Sequence, residues 1–310
     1  MRAVRVDDGQ PRVVEVDAPQ GDGVLVSVVA SSICGSDLHL IDAGFAEGRV
    51  LGHEFAGRTP DGTEVAIEPI LGCGVCPPCE AGQRPHCDDG PTLMGVFADG
   101  GMAEQVMVAA SCLVPLPGGI DLATASLVEP LAVAEHALNR AGVAVGHDVL
   151  VIGAGPIGLA AAAVLAHRDI STTVSARHDH QRAAADRLGA GAEVADGYDV
   201  VIDAVGTTAS LEEAVQRTKP QGRIGMVASF WDPVEVSMAL CMKEVEIVPA
   251  MMYGGVAPQR EFDEAARVLA ANPEIAPSLI THRFPLDGAG EAFAAARDRA
   301  AGAIKVVFDV

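Results

Sequence analysis

The chain has 310 residues, 49% of them hydrophobic, and a formal net charge of −21. That length and apolar content suffice for two domain-sized cores, while the negative balance argues against nucleic acid or an anionic membrane surface as partner, since most faces would repel a polyanion. The opening MRAVRVDDGQ places charged and turn residues before any apolar run, so no secretory signal is read there and a cytoplasmic protein is expected.

In chain order, the first stretch with chemistry in it is SSICGSDLH (31–39), followed by LGHEFAG (51–57) and, much later, SLVEPLAVAEHAL (126–138). Cys34, His53 and a carboxylate from Glu54 or Glu129 offer one soft, one borderline and one hard ligand. Three protein ligands with an open fourth position are what a catalytic zinc requires. Between these stretches lies GCGVCPPCEAGQRPHC (72–87), which holds four of the seven cysteines. In a chain expected in a reducing compartment, such clustering favours metal over disulfides. The spacing of Cys73, Cys76, Cys79 and Cys87 lets a short loop wrap four sulfurs around one tetrahedral ion at about 2.3 Å, with no position left open, so this second zinc would be structural.

The next motif is VLVIGAGPIGLAAAAVLAHRD. Its apolar length invites comparison with a membrane span, but Gly153, Gly155, Pro156 and Gly158 interrupt it with turn residues. It reads instead as a buried strand (Val149–Ile152), a tight turn Gly153-x-Gly155-Pro156-Ile157-Gly158, and an Ala-rich helix from Leu159. Further units follow: strand Thr172–Ser175 with helix Arg182–Leu188, strand Asp199–Ala204 with helix Leu211–Thr218, and strand Arg223–Ala228. The alternation predicts a doubly wound parallel sheet that binds a dinucleotide, the pyrophosphate lying at the helix amino terminus. At the end of the second strand, where an NAD site carries an acid, stand Ser175 and Ala176, followed by Arg177, so NADP(H) is favoured over NAD(H). The alternative is a solvated Arg177, with Asp179 reaching back to the ribose. Outside these motifs, Cys112 and Cys241 are expected to be buried small hydrophobes, and MALCMKE (238–244) to pack or form a subunit contact.

The whole pattern resembles the zinc-dependent medium-chain dehydrogenase/reductases, through C-G-S-D-x-H, G-H-E, the four-cysteine lobe, E-P-L-A-V, G-A-G-P-I-G and, near the end, ITHRFPL. The E-P-L at Glu129 is similar to the sorbitol, butanediol, threonine and glucose dehydrogenase branch. The resemblance implies an α/β protein: a GroES-like, mostly-β catalytic domain (1–129 and 253–310) and a Rossmann coenzyme domain (130–252). It implies that Ser36 takes the substrate hydroxyl proton and His39 continues the relay. It also implies that Lys305 reaches the cofactor phosphates, that Ala204 and Val227 line the cofactor, and that the chain works as a homodimer or homotetramer. Leu40, Phe45, Phe97, Met252 and Tyr253 stand at expected pocket positions. Leu40 and Met252 replace polyol-gripping groups, which favours a secondary alcohol or ketone, or a cyclic polyol, over an open-chain sugar alcohol. An NAD-dependent polyol, diol or threonine-type dehydrogenase is the alternative, and a zinc-stabilised nucleotide-binding protein without turnover a weaker one. Between GHEFAG and AIEP the family has a longer hairpin; here RTPDGTEV (58–65) closes it with one Asp-Gly turn.

Overall fold

Val26, Val28 and Ala30 are buried along the strand Val24–Ser32 while Ser27 between them is exposed, the alternation of a strand with one face on a core. The computed structural model, which describes residues 1–310, makes this strand the centre of a seven-stranded sheet. It pairs antiparallel with Glu54–Arg58, Gln105–Val108 and the carboxyl-terminal strand Lys305–Asp309. The sheet belongs to a unit comprising Met1–Glu129, Gly254–Ala270 and Ile280–Val310. Its short hairpin between Glu54–Arg58 and Glu64–Ile67 closes through Asp61, which accepts hydrogen bonds from the Thr59 hydroxyl and, at 3.2 Å, from the Thr63 N–H, with Gly62 at φ +89°.

The second unit comprises Pro130–Tyr253 and Ala271–Leu279. Its five parallel strands run in the order Thr172–Ser175, Val149–Ile152, Tyr198–Asp203, Thr218–Met226, Glu246–Pro249. The strand Val149–Ile152 is buried along its whole length, as a strand covered on both faces must be. The helices Pro156–His167, Asp179–Arg187 and Thr208–Arg217 follow the first three strands in chain order. The helix expected at Arg182–Leu188 starts earlier, because His178 is extended and its N–H meets the Gln181 side chain at 3.3 Å. The division expected near residue 253 also differs in detail: the short helix Ile275–Leu279 returns to the second unit, where it packs on Pro156–His167. No helix is long and apolar enough to cross a membrane.

Candidate active site

Cys34 has an extended backbone (φ −89°, ψ 153°) that turns the chain into the helix Gly35–Asp42, and Asp37, three residues on, accepts the Cys34 N–H at 2.9 Å. The cap fixes the thiol at the mouth of the helix. The other oxygen of Asp37 lies 3.4 Å from His53 Nδ1, which leaves Nε2 to face a metal, and Ser36 Oγ stands 3.3 Å from Nε2. One ligand atom each from Cys34, His53 and Glu54 lies within 4.8 Å of the others. Burial by itself lowers the pKa of His53, but the charges of Asp37 and Cys34 outweigh it and hold the ring well above 6.5. Surroundings this favourable to a cation fit a zinc ion, and thiolate, imidazole and carboxylate are its usual donors. Asp37 is the residue sequence reasoning missed: it stands inside C-G-S-D-x-H, yet only the folded turn shows it capping Cys34 while it orients His53. His39 is exposed in the last turn of the same helix, three residues after Ser36.

Glu54 carries a second surprise. Lys305 Nζ donates to its Oε1 and Oε2 at 2.7 and 2.6 Å and to the Ile33 carbonyl at 3.2 Å, and the Ser32 hydroxyl donates to Oε2. Lys305 is 1% exposed. This corrects the expectation that Lys305 reaches cofactor phosphates. The strand Lys305–Asp309 lies against Ala30–Ser32, and Ser32 lies opposite Glu54 on the next strand, so the lysine turns inward and a buried ammonium must find its counter-charge. Burial raises the Glu54 pKa, but Lys305 and His53 outweigh it and hold the carboxyl below its ordinary range; burial likewise lowers Lys305, and Glu54 and Cys34 carry it above its own. Glu129 opens the helix Val128–Arg140, buried, outside the close trio.

The second cluster forms as the spacing implies. Ligand atoms of Cys73, Cys76, Cys79 and Cys87 lie within 4.8 Å of one another, Cys76 Sγ and Cys87 Sγ are 3.9 Å apart, and every cysteine is a free thiol. Tetrahedral sulfurs about 2.3 Å from one zinc stand about 3.8 Å apart, so the lobe fits that ion. Backbone hydrogen bonds from Asp88 and Cys79 pull the Cys76 thiol down to about 7, whereas at Cys73 the backbone hydrogen bond from Val75 is outweighed by the neighbouring thiols and the group is pushed up to about 12, so without a cation the crowded sulfurs do not ionise together. Of the two remaining cysteines, Cys112 is buried as expected, whereas Cys241 is exposed, beside exposed Met238 and Met242 on the helix Met238–Lys243.

In the second unit the glycine turn has the form a pyrophosphate site requires. Gly153 takes φ +96°, a Cβ on Gly158 would strike the Gly153 carbonyl at 1.8 Å, and a Cβ on Gly155 would meet nothing within 4 Å. Gly155 is also the cap of Pro156–His167 and offers no capping side chain, so the first-turn N–H groups remain for a ligand; the donors and the open approach fit a dinucleotide. Ser175 abuts this turn, its carbonyl accepting the Gly153 N–H at 3.0 Å. Arg177 is exposed, and Ala176 accepts at its carbonyl from Arg182. Asp179, the alternative ribose partner, pairs with Arg182. Ala204 N–H bonds the Ile152 carbonyl and Val227 N–H the Asp203 carbonyl, placing both at the strand ends.

Among the expected pocket residues, Leu40 is half-buried and packs against a core that includes Leu38, Ile41 and Leu51. Tyr253 is enclosed at 2% exposure and Met252 adopts φ +60°, while Phe45 and Phe97 are 76% and 65% exposed.

A metal trio, a thiol lobe and a glycine turn on a parallel sheet together define a zinc- and dinucleotide-dependent dehydrogenase. Comparison with known proteins agrees. The Alcohol dehydrogenase GroES-like domain matches residues 20–118, and the Glucose dehydrogenase C-terminus matches residues 122–310. The chain belongs to the zinc-type medium-chain alcohol dehydrogenase family, and is an oxidoreductase acting on CH–OH groups. It is 31% identical to L-galactonate-5-dehydrogenase of Escherichia coli over 90% of this chain and 89% of the relative. Among solved structures, a zinc-binding dehydrogenase of Sinorhizobium meliloti bound to NADP is 26% identical, with TM-score 0.88 over 100% of this chain and 99% of the other. An alcohol dehydrogenase of Escherichia coli complexed with NADH is 27% identical, with TM-score 0.87 over 100% and 99%.

Proposed function

We propose that this protein transfers hydride between NADP(H) and a secondary alcohol or its ketone, or a cyclic polyol, with one zinc held by Cys34, His53 and a carboxylate of Glu54 or Glu129 and a second in the four-cysteine lobe. The reading is carried by the convergence of Cys34, His53 and Glu54, with Ser36 Oγ 3.3 Å from His53 Nε2. Bound zinc would supply Lewis acidity that lowers the pKa of a substrate hydroxyl. Ser36, beside the metal-facing nitrogen, receives the hydroxyl proton. His39, one turn further on the same helix face and exposed, hands it to solvent. Asp37 holds His53 in place throughout. A nicotinamide dinucleotide held at the glycine turn would supply the hydride acceptor.

NADP(H) is supported by Arg177, exposed just past the strand end, and by the absence of an acid at Ser175 and Ala176. The NADP-bound relative is consistent with this; the NADH-bound one and L-galactonate-5-dehydrogenase keep an NAD-dependent polyol reading as the second choice. A homodimer or homotetramer in the cytoplasm completes the proposal, its contact face supplied by Met238 and Met242 near the edge strand Glu246–Pro249. The test is a screen of secondary alcohols, diols and cyclic polyols with both cofactors, on the native chain and on Arg177→Ala. The native chain should prefer NADPH, and Arg177→Ala should lose roughly ten- to a hundredfold in kcat/KM with it, the size of one charge-assisted contact. Native preference for NADH, or an Arg177→Ala enzyme that keeps its NADPH preference, sinks the cofactor assignment.

A further inference from the structure

The strand Thr172–Ser175 ends without an acid of its own, but the fold brings one there. Ser175 Oγ donates to Glu213 Oε1 at 3.5 Å, from the helix Thr208–Arg217. Ser175 also gives its carbonyl to the Gly153 N–H at 3.0 Å, so the hydroxyl that meets Glu213 belongs to the residue abutting the pyrophosphate turn. Glu213 is half-buried. A carboxylate at this corner can accept from a ribose 2′-hydroxyl, as an acid at the strand end does, and it repels a 2′-phosphate. Arg177, two residues beyond Ser175 and exposed, exerts the opposite preference.

We propose that Glu213 is a specificity-determining residue for the cofactor: supplied from another helix, it stands in for the missing strand-end acid and limits the preference for the 2′-phosphate that Arg177 confers. The inference rests on the reading that a nicotinamide dinucleotide occupies the glycine turn. Discrimination between the two cofactors is then a balance between one attractive and one repulsive charge rather than the effect of Arg177 alone.

The experiment measures dissociation constants of NADPH and NADH, from the fluorescence of the reduced nicotinamide, for the native chain, Glu213→Gln and Glu213→Ala. Removing the charge should shift the NADPH-to-NADH affinity ratio toward NADPH by about tenfold in both variants, a change of about 1.4 kcal/mol. The isosteric glutamine preserves the shape of the helix face. A ratio within about twofold of native in both variants, on the same affinity scale, would overturn the proposal even if the native chain prefers NADPH. Native preference for NADH together with the tenfold shift would overturn the NADP assignment and uphold this one. A native chain that binds neither dinucleotide would overturn both.

Discussion

Lys305 and Glu54, 251 residues apart, form a buried ion pair in which one ammonium spans both carboxylate oxygens at 2.7 and 2.6 Å, beside the Cys34 and His53 donors. Lys305→Met should therefore strand a buried carboxylate and cost about 3–5 kcal/mol of stability, while the Glu54→Gln/Lys305→Met double variant should recover much of that loss. Denaturant titrations of the four corners of this cycle check it; additive losses would rule out the coupling. The pH dependence follows from the directions of the shifts. Glu54 is held below its ordinary 4.5, so its contribution is fully present above that value and fades as pH falls through its folded pKa. Lys305 is held above its ordinary 10.5, so its contribution is fully present below that value and fades as pH rises through its folded pKa. In Lys305→Met the buried Glu54 loses its main counter-charge, so its folded pKa moves up, and the stability gap from native should narrow as pH falls through that raised value and the carboxylate is neutralised.

The two metal clusters should separate on mutation. Elemental analysis should find close to two zinc ions per chain, because a closed four-thiol site and an open three-donor site both fit one. Cys76→Ser should lose one ion together with stability, since a structural site contributes folding free energy. Cys34→Ser should abolish turnover with the fold intact. A native chain holding one zinc, with Cys76→Ser unchanged in content and stability, would contradict the lobe assignment.

Two glycines of the same turn should respond oppositely. A side chain on Gly155 has open space around it, so Gly155→Val should fold and melt near the native temperature but fail to bind dinucleotide, its side chain occupying the approach of the pyrophosphate. Gly158→Ala drives its Cβ to 1.8 Å from the Gly153 carbonyl and should destabilise the unit. Circular dichroism melts paired with cofactor titrations distinguish them; normal cofactor affinity in Gly155→Val would refute the placement of the ligand.

Behind the thiol lobe, Glu68 Oε2 lies 2.9 Å from Arg84 Nη1 in an ion pair and accepts from Arg260 at 3.1 Å, and Arg260 also pairs with Asp263 and bonds the Ser111 and Leu113 carbonyls, both at 3.1 Å. Two positive and two negative groups balance in this cluster. Arg260→Met should cost about 3–5 kcal/mol, because Glu68 and Asp263 lose a shared counter-charge. Glu68→Gln should in addition loosen Arg84, which lies between Cys79 and Cys87, and speed release of the lobe zinc to a chromogenic chelator. Unchanged release would confine Glu68 to a structural role.

What the sequence determined by itself was whatever depends on neighbours along the chain. The four-cysteine spacing, the Cys34 and His53 donors, the glycine turn and the strands Val149–Ile152 and Thr172–Ser175 follow from ligand chemistry, from backbone angles only glycine accepts, and from apolar runs bounded by turns. Tertiary structure decided the pairings that close across the fold. Lys305 faces Glu54 rather than a phosphate because the final strand returns beside Val24–Ser32. Arg260 meets Glu68 across 192 residues, and Glu213 reaches Ser175 from a helix 38 residues on. A local pattern specifies which side chains are available and which face they take. The partner of a buried charge is chosen by which strand or helix arrives beside it, and the cost of leaving that charge unpaired enforces the choice.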